Sequence, residues 1–410
     1  MSIRNLILAA AGSGPQVIYP AYQLVKPATI VGPNQGFGQK VAIARESISG
    51  SGQILVSMIS PDYTNNVGAW AGYSASSGVT YNITMFATAA TIPYPNSTLG
   101  AVLAVDATGQ VYVTGRTAND TNGRTIQVYI PGAARTITVS SPDSLYGFFG
   151  TSSIAISKNG QRIFVGAPQT GNYTQKVFIY RANNTTATNI TAYTLEATLT
   201  NSEYEFGGTL AIDTDGLWLA VGNKRDNLGT NSYTGVVRTY SRSGTAWTAR
   251  TTIVSPQDIN GQYFGSSLAM SADGTTLAIS RDELQTAGVY RRSAYIYTRA
   301  SAGTSWSMSG SPLIWSTTDF NIYDEQAQYM ALSSNGSKFA VSAPYNNGFF
   351  GVPGNILIYE NINNTRTLFR TLLPPVGSTS KIGRAGMGMN DAGTIVVASG
   401  GSGDVYVWNS

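Results

Sequence analysis

Phe264–Ser280, FGSSLAMSADGTTLAIS, reads as a short strand, a tight Asp-Gly turn and a second strand. The same pattern recurs as FGTSSIAISKNGQRIFVGAP from Phe149, FGGTLAIDTDGLWLAVG from Phe206 and IGRAGMGMNDAGTIVVASG from Ile382. Looser copies begin at Phe37, Leu99 and Gln326, which makes seven in all. The turn glycines are Gly52, Gly109, Gly160, Gly216, Gly274, Gly336 and Gly393, spaced by 57, 51, 56, 58, 62 and 57 residues. A unit of that length holds about four short strands with their loops, the content of one propeller blade. Asp-Gly or Asn-Gly between alternating apolar runs marks a hairpin, because a type I′ turn needs positive φ at both central residues. The expectation is an all-β, seven-bladed β-propeller of four-stranded antiparallel blades.

Working outward from the repeat, the chain ends in Asp404–Ser410, DVYVWNS, which matches third strands such as Lys176–Arg181 and Asn355–Glu360. The last blade then lacks an outer strand. Tyr22–Val31, YQLVKPATIV, is similar to the fourth strands Thr136–Ser140 and Thr252–Ser255. Residues 22–31 are therefore expected to complete the last blade and close the ring, which removes two unpaired sheet edges. Residues 17–410 form one domain on this reading. Residues 1–16 stand outside the repeat as an arm, with Ile3, Leu6, Ile7 and Leu8 as its apolar anchors. Trp247 and Trp306 fall at matching places at the start of outer strands and read as packing between blades.

Composition narrows the function. Charged residues are 11% of the 410, hydrophobic residues 42%, and the net charge of +4 is dispersed. No Lys/Arg stripe marks a nucleic-acid footprint, and no run of about 20 apolar residues marks a membrane span. Cysteine and histidine are both absent. That removes thiol nucleophiles, the Ser-His-Asp class of triads and nearly all transition-metal ligation. No cofactor is expected, and the expectation is a non-enzyme.

The FG openings, the A-h-S-x-D-G turns and the closing VGAP of Val165–Pro168 or VSAP of Val341–Pro344 resemble the FG-GAP repeat family. That resemblance implies a propeller used as a surface-exposed binding module. Calcium-binding members carry closely spaced acids that gather oxygens around a hard cation. Here the nearest approach is Asp213-Thr214-Asp215-Gly216, so no metal site is expected. The opening MSIRNLILAAAG resembles the start of structural proteins of tailed phages, including those infecting cyanobacteria. It implies a virion protein attached to capsid, neck or tail through residues 1–16, on the virion surface and in several copies on one particle.

Two sets of loops should gather on one face of the ring: those leading into first strands and those joining second to third strands. They are rich in tyrosine, a rigid amphipathic contact residue. Tyr146, Tyr204, Tyr263, Tyr323 and Tyr345 are the candidate binding residues, with Tyr173 and Tyr233 in the same loops. The alternative to a virion structural role is a receptor- or glycan-binding module that uses this face. A third reading, a glycan-degrading enzyme, needs paired carboxylates about 5–10 Å apart, for which Glu203, Glu205, Asp319 and Asp324 are candidates.

Overall fold

The computed structural model describes residues 22–23, 37–46, 53–62, 67–75, 81–88, 98–117, 124–143, 148–168, 174–228, 231–284, 290–314, 329–343, 354–362, 365–375, 381–400 and 404–409. Their strands pair antiparallel into sheet 1 (37–88), sheet 2 (98–140), sheet 3 (154–201), sheet 4 (209–254), sheet 5 (268–314), sheet 6 (330–372) and sheet 7 (387–409 with 22–23). In each sheet the first strand of the repeat is innermost. Each innermost strand touches the next, and Met387–Met389 of sheet 7 touches Phe37–Ile43 of sheet 1, so the ring closes as a β-propeller.

The blade count needs correction. Regular four-stranded blades number six, not seven. The exception is sheet 5, which has five strands because its outer strand is cut in two. Ser307–Met308 pairs with Thr298 and Tyr297, and Leu313–Ile314 pairs with Ala294 and Ser293. Gly310, at φ 71°, and Pro312, which has no N–H to give a ladder, break it between. The closing strand is seen in part. Tyr22 and Gln23 pair with Val407 and Tyr406, and residues 24–31 lie outside the described residues.

The core lies between sheets. The aromatic of each FG pair fills the gap to the preceding sheet: Phe149 sits among Val128, Val165 and Phe178. Phe206 does the same among Phe164, Val177 and Leu219, and Phe264 among Val237, Leu277 and Tyr295. All three are essentially inaccessible to solvent. The adjoining glycine then turns the chain into the first strand, at φ 66° for Gly150, 86° for Gly207 and 89° for Gly265. Trp247 meets Phe164 edge-on at 5.5 Å and Trp306 meets Trp218 at 6.2 Å, both contacts between sheets. Third and fourth strands slip by one residue beside Tyr73, Tyr180, Tyr240 and Tyr359, a recurrent bulge that adds twist.

The inner hairpins obey one rule. A polar side chain caps the turn by accepting the N–H five residues on: Asp106 from Val111, Ser157 from Arg162, Asp213 from Trp218, Ser271 from Thr276, Ser333 from Lys338 and Asn390 from Ile395. The fourth turn residue is always glycine, and its N–H returns to the carbonyl of the capping residue. This differs from the type I′ expectation. Only Asn159 joins its glycine at positive φ; Asp215, Asp273 and Asn335 do not. The geometry is a four-residue turn ending in a left-handed glycine, a type I pattern.

These turns are bonded to one another around the ring. Glu46 N–H reaches Ala107 O, Asn159 N–H reaches the Asp106 carboxylate, and Lys158 N–H reaches Thr214 O. Thr214 N–H then reaches Ala272 O, Asp273 N–H Ser334 O, Ser334 N–H Asp391 O, and Asp391 N–H Arg45 O. Arg45 adds a strut. Its guanidinium pairs with Asp391 at 2.9 Å and donates to Met270 O at 3.0 Å and Leu332 O at 3.4 Å. Carried on sheet 1, it is bonded to sheets 5, 6 and 7.

Two outcomes follow from the turn face. Arg45→Met removes three charge-assisted bonds at a part-exposed site, and should lower stability by about 1–3 kcal/mol in a urea titration, with the circular dichroism spectrum unchanged. Burial pushes the Asp213 carboxyl up to about 6, against the N–H groups of Trp218 and Leu217 that favour its charged form. A folded pKa raised above the unfolded one means stability is lost as pH rises through the range from about 4 to 6. Asn390 performs the same task without a charge. Asp213→Asn should therefore be neutral near pH 4 and gain on wild type by on the order of 1–3 kcal/mol at pH 8, read from paired urea curves at the two pH values.

Candidate binding face

Opposite the turn face, two loops of sheet 4 and one of sheet 5 build a cluster. The segment before the first strand of sheet 4 carries Tyr204, which is exposed, and Glu205, held at φ 63°. Lys224 and Arg225, between second and third strands, reach the two oxygens of Glu205 at 3.4 and 3.3 Å. Farther along the same loop Tyr233, also exposed, stands at φ 59°. Its ring stacks on Tyr263 of sheet 5 with centroids 6.1 Å apart and planes 13° apart. Arg225 lies over the Tyr233 ring, 5.8 Å from its centroid.

Backbone strain concentrates here. Of the five described non-glycine residues at positive φ, Glu205, Tyr233 and Tyr263 belong to this cluster. Such residues persist only where their surroundings hold them, and they gather at binding sites. The surroundings are visible. Asp226, fully buried, accepts from Arg238 Nη1 at 2.5 Å and from Asn223 Nδ2 at 3.1 Å, while its carbonyl takes Gly235 N–H and the Thr234 hydroxyl. Tyr233 N–H is taken by Asn227 Oδ1 and its carbonyl by Tyr263 N–H. Asn231 and Ser232 are tied to Asp258 and Asn260 of the neighbouring loop. The two loop sets thus meet on one face.

Beside the cluster a cavity of about 270 Å³ opens between sheets 3, 4 and 5. Ser152, Thr209 and Ser266 contribute hydroxyls to its wall, Gly222 and Gly265 bare backbone, and Glu205 with Lys224 its charged lip. The glycines are required for shape: a Cβ on Gly222 would stand 2.5 Å from Gly265 O. The wall is mixed in chemistry, with Phe148 and Pro168 beside the hydroxyls.

Of the five candidate tyrosines, Tyr204 and Tyr263 fall in this region. Tyr146, Tyr323 and Tyr345 lie outside the described residues, as do Ile3, Leu6, Ile7 and Leu8 of the arm. Tyr233, named among the tyrosines of these loops but not as a candidate binding residue, joins the site with Lys224 and Arg225, which the sequence did not single out. Glu203 and Glu205 are described; Asp319 and Asp324 are not. No group of three or more acidic side chains that could hold a metal ion occurs among the described residues. Asp213, first of the spaced acids, is consumed as a turn cap. No helix among the described residues is long and apolar enough to cross a membrane.

The fold defines the class: the chain is a β-propeller with a strained, tyrosine-bearing loop face. Among solved structures it is similar to a chain of "Crystal Structure of Mitotic Checkpoint Complex", with a TM-score of 0.54 and 12% identity, covering 95% of this chain and 96% of that one. At that identity the likeness shows the fold alone. No family model and no curated protein matches the chain, so neither the FG-GAP nor the phage resemblance gains a counterpart there.

The support beneath Tyr233 can be broken selectively. Arg238→Met strands the buried Asp226 carboxylate and should cost about 3–5 kcal/mol, while Arg238→Met with Asp226→Leu should recover much of it. Urea curves of the wild type, the single and the double variant measure both.

Proposed function

We propose that this chain is a non-enzymatic, surface-displayed binding propeller that reads a partner through the loop face of sheets 4 and 5. The observation that carries the proposal is the clustering of Glu205, Tyr233 and Tyr263 at positive φ around exposed tyrosine and cationic side chains. A loop held in that state against its backbone preference is pre-organised, which lowers the ordering cost of binding. The propeller is a common frame for protein–protein contact. The neighbour named above belongs to a structure described as a mitotic checkpoint complex, in keeping with an interaction module.

The placement belongs to the same proposal. Residues 1–16 hold the propeller on a virus particle, as a structural or decoration protein of capsid, neck or tail. The opening MSIRNLILAAAG is what supports this. A second reading, favoured by the hydroxyl-lined cavity next to the Tyr233–Tyr263 stack, is recognition of host-surface glycan by the same face.

Co-sedimentation with particles or cells separates the parts. The full chain should sediment, the 17–410 truncation should not, and both should melt alike. Equal sedimentation of the truncation would refute the anchoring arm and place the contact on the propeller. A Tyr204→Ala, Tyr233→Ala variant that binds as wild type would refute the loop face.

A further inference from the structure

The position that opens each outer strand follows a pattern through sheets 3, 4 and 5. Tyr193 lies opposite Ala182, Trp247 lies opposite Arg242, and Trp306 stands one residue before Ser307, the partner of Thr298. Each of these rings packs into the core between its own sheet and the sheet before it. In sheet 6 the same position, opposite Asn361, holds Arg366. The gap between sheets 5 and 6 therefore receives a guanidinium where the three preceding gaps receive a ring.

The consequence is a notch. A cavity of about 300 Å³ opens on the outer rim between residues 309–313 of sheet 5 and Asn361, Thr365 and Arg366 of sheet 6. Its sheet 5 wall is the stretch at which Gly310 and Pro312 break the outer strand, so two departures from the repeat coincide. Leu313, which packs on the core between the two sheets, lines the cavity beside the polar residues Ser309, Ser311 and Thr365. The volume is at the lower end of ligand pockets, roughly 300–1,000 Å³, and suits a single side chain.

The preceding gap shows what completes such a site. There Arg299 donates Nε to Gly274 O, and its guanidinium carbon lies 3.8 Å from the Trp218 centroid and 5.7 Å from that of Trp306. Its Nη1 serves the carbonyls of Ala300, Ser301 and Gly303. Arg366 repeats only half of this. Its Nη2 donates to Gly336 O at 2.9 Å, and the Phe339 ring lies 6.0 Å from the cation. Its buried Nη1 has no acceptor. A second ring is the missing piece, and a carbonyl beside that ring would find a donor.

We propose that this notch is a docking socket for one aromatic side chain of a partner protein, whose ring enters where Tyr193, Trp247 and Trp306 sit in the preceding gaps and packs on Leu313 and the Arg366 guanidinium. A guanidinium stacks on aromatic faces. Trp, Tyr and Arg in desolvated pockets carry most of the binding energy at protein interfaces. A small anion would satisfy Nη1 but leave Leu313 and most of the cavity uncovered. The socket lies on the outer rim, apart from the tyrosine cluster, and does not rest on the loop-face reading.

The test follows the Leu313 methyl resonances of the full chain, labelled at leucine methyls and assigned by their loss in Leu313→Met. N-acetyl-tryptophanamide, N-acetyl-leucinamide and sodium acetate are titrated in turn. The tryptophan amide should move the signals with a dissociation constant on the order of 1 mM, the leucine amide roughly tenfold more weakly, and acetate not at all. Asn361→Arg with Arg366→Trp copies the Arg242–Trp247 pair of sheet 4 and fills the socket from within. That double variant should melt no lower than wild type and bind the tryptophan amide at least about tenfold more weakly. Silence of the Leu313 signals toward the tryptophan amide, or an equal response to the leucine amide, overturns the socket. A folded double variant that binds as wild type does the same. A response to acetate alone makes the notch an anion site and overturns the aromatic occupant. Should the double variant fail to fold, the three probes on the wild type decide.

Discussion

A closed circle of hydrogen bonds between inner hairpin turns, backbone to backbone except where Asn159 N–H meets the Asp106 carboxylate, is the constraint on which the rest of the ring depends. Every turn donates to, or accepts from, the turn of each neighbouring sheet, so that sheet 7 returns to sheet 1 through Asp391 N–H and Arg45 O. The glycines make the approach possible. A Cβ on Gly160 would come within 2.6 Å of Val111 Cγ2, and one on Gly336 within 2.4 Å of Thr276 Oγ1. Positive φ and steric room are demanded at the same atom. The repeat in the sequence is the trace of that double demand.

Closure also explains where the charges go. Lys338 reaches Gly393 O, and three arginines reach other turn glycines, so cations that would otherwise form a basic surface are spent on turn carbonyls. Tyr193 does the same for Gly160 without a charge. The small net charge thus conceals a structural use of arginine. On the opposite face Lys224 and Arg225 pair with Glu205 rather than with a turn carbonyl. One face of the ring is devoted to holding the ring, and the other carries the tyrosine-bearing loops.

Much of this was legible in the residues because the deciding signals are local. Gly216, Gly274 and their counterparts announce the hairpins, alternation such as Leu277 and Ile279 gives the buried strands, and the FG pairs mark the entry to each sheet. The type of turn was not legible, since a left-handed glycine serves a type I′ hairpin and the observed turn equally well. The broken outer strand of sheet 5 has a local cause in Gly310 and Pro312, but outer strands carry too weak an alternation for their pairing to be traced. The site was half legible. Tyr204 and Tyr263 lie in loops that topology brings together, whereas the stacking of Tyr233 on Tyr263 depends on a contact between loops of two sheets.

The division of labour between the faces can be measured directly by native-state hydrogen exchange of individual amides. The account predicts that the inter-turn amides of Thr214, Ser334 and Asp391 exchange together, only on global opening of the ring, while Tyr204 and Tyr233 on the loop face exchange by independent local openings of lower free energy. Fast, uncorrelated exchange of the three turn amides, with the loop face protected to the global limit, would contradict it.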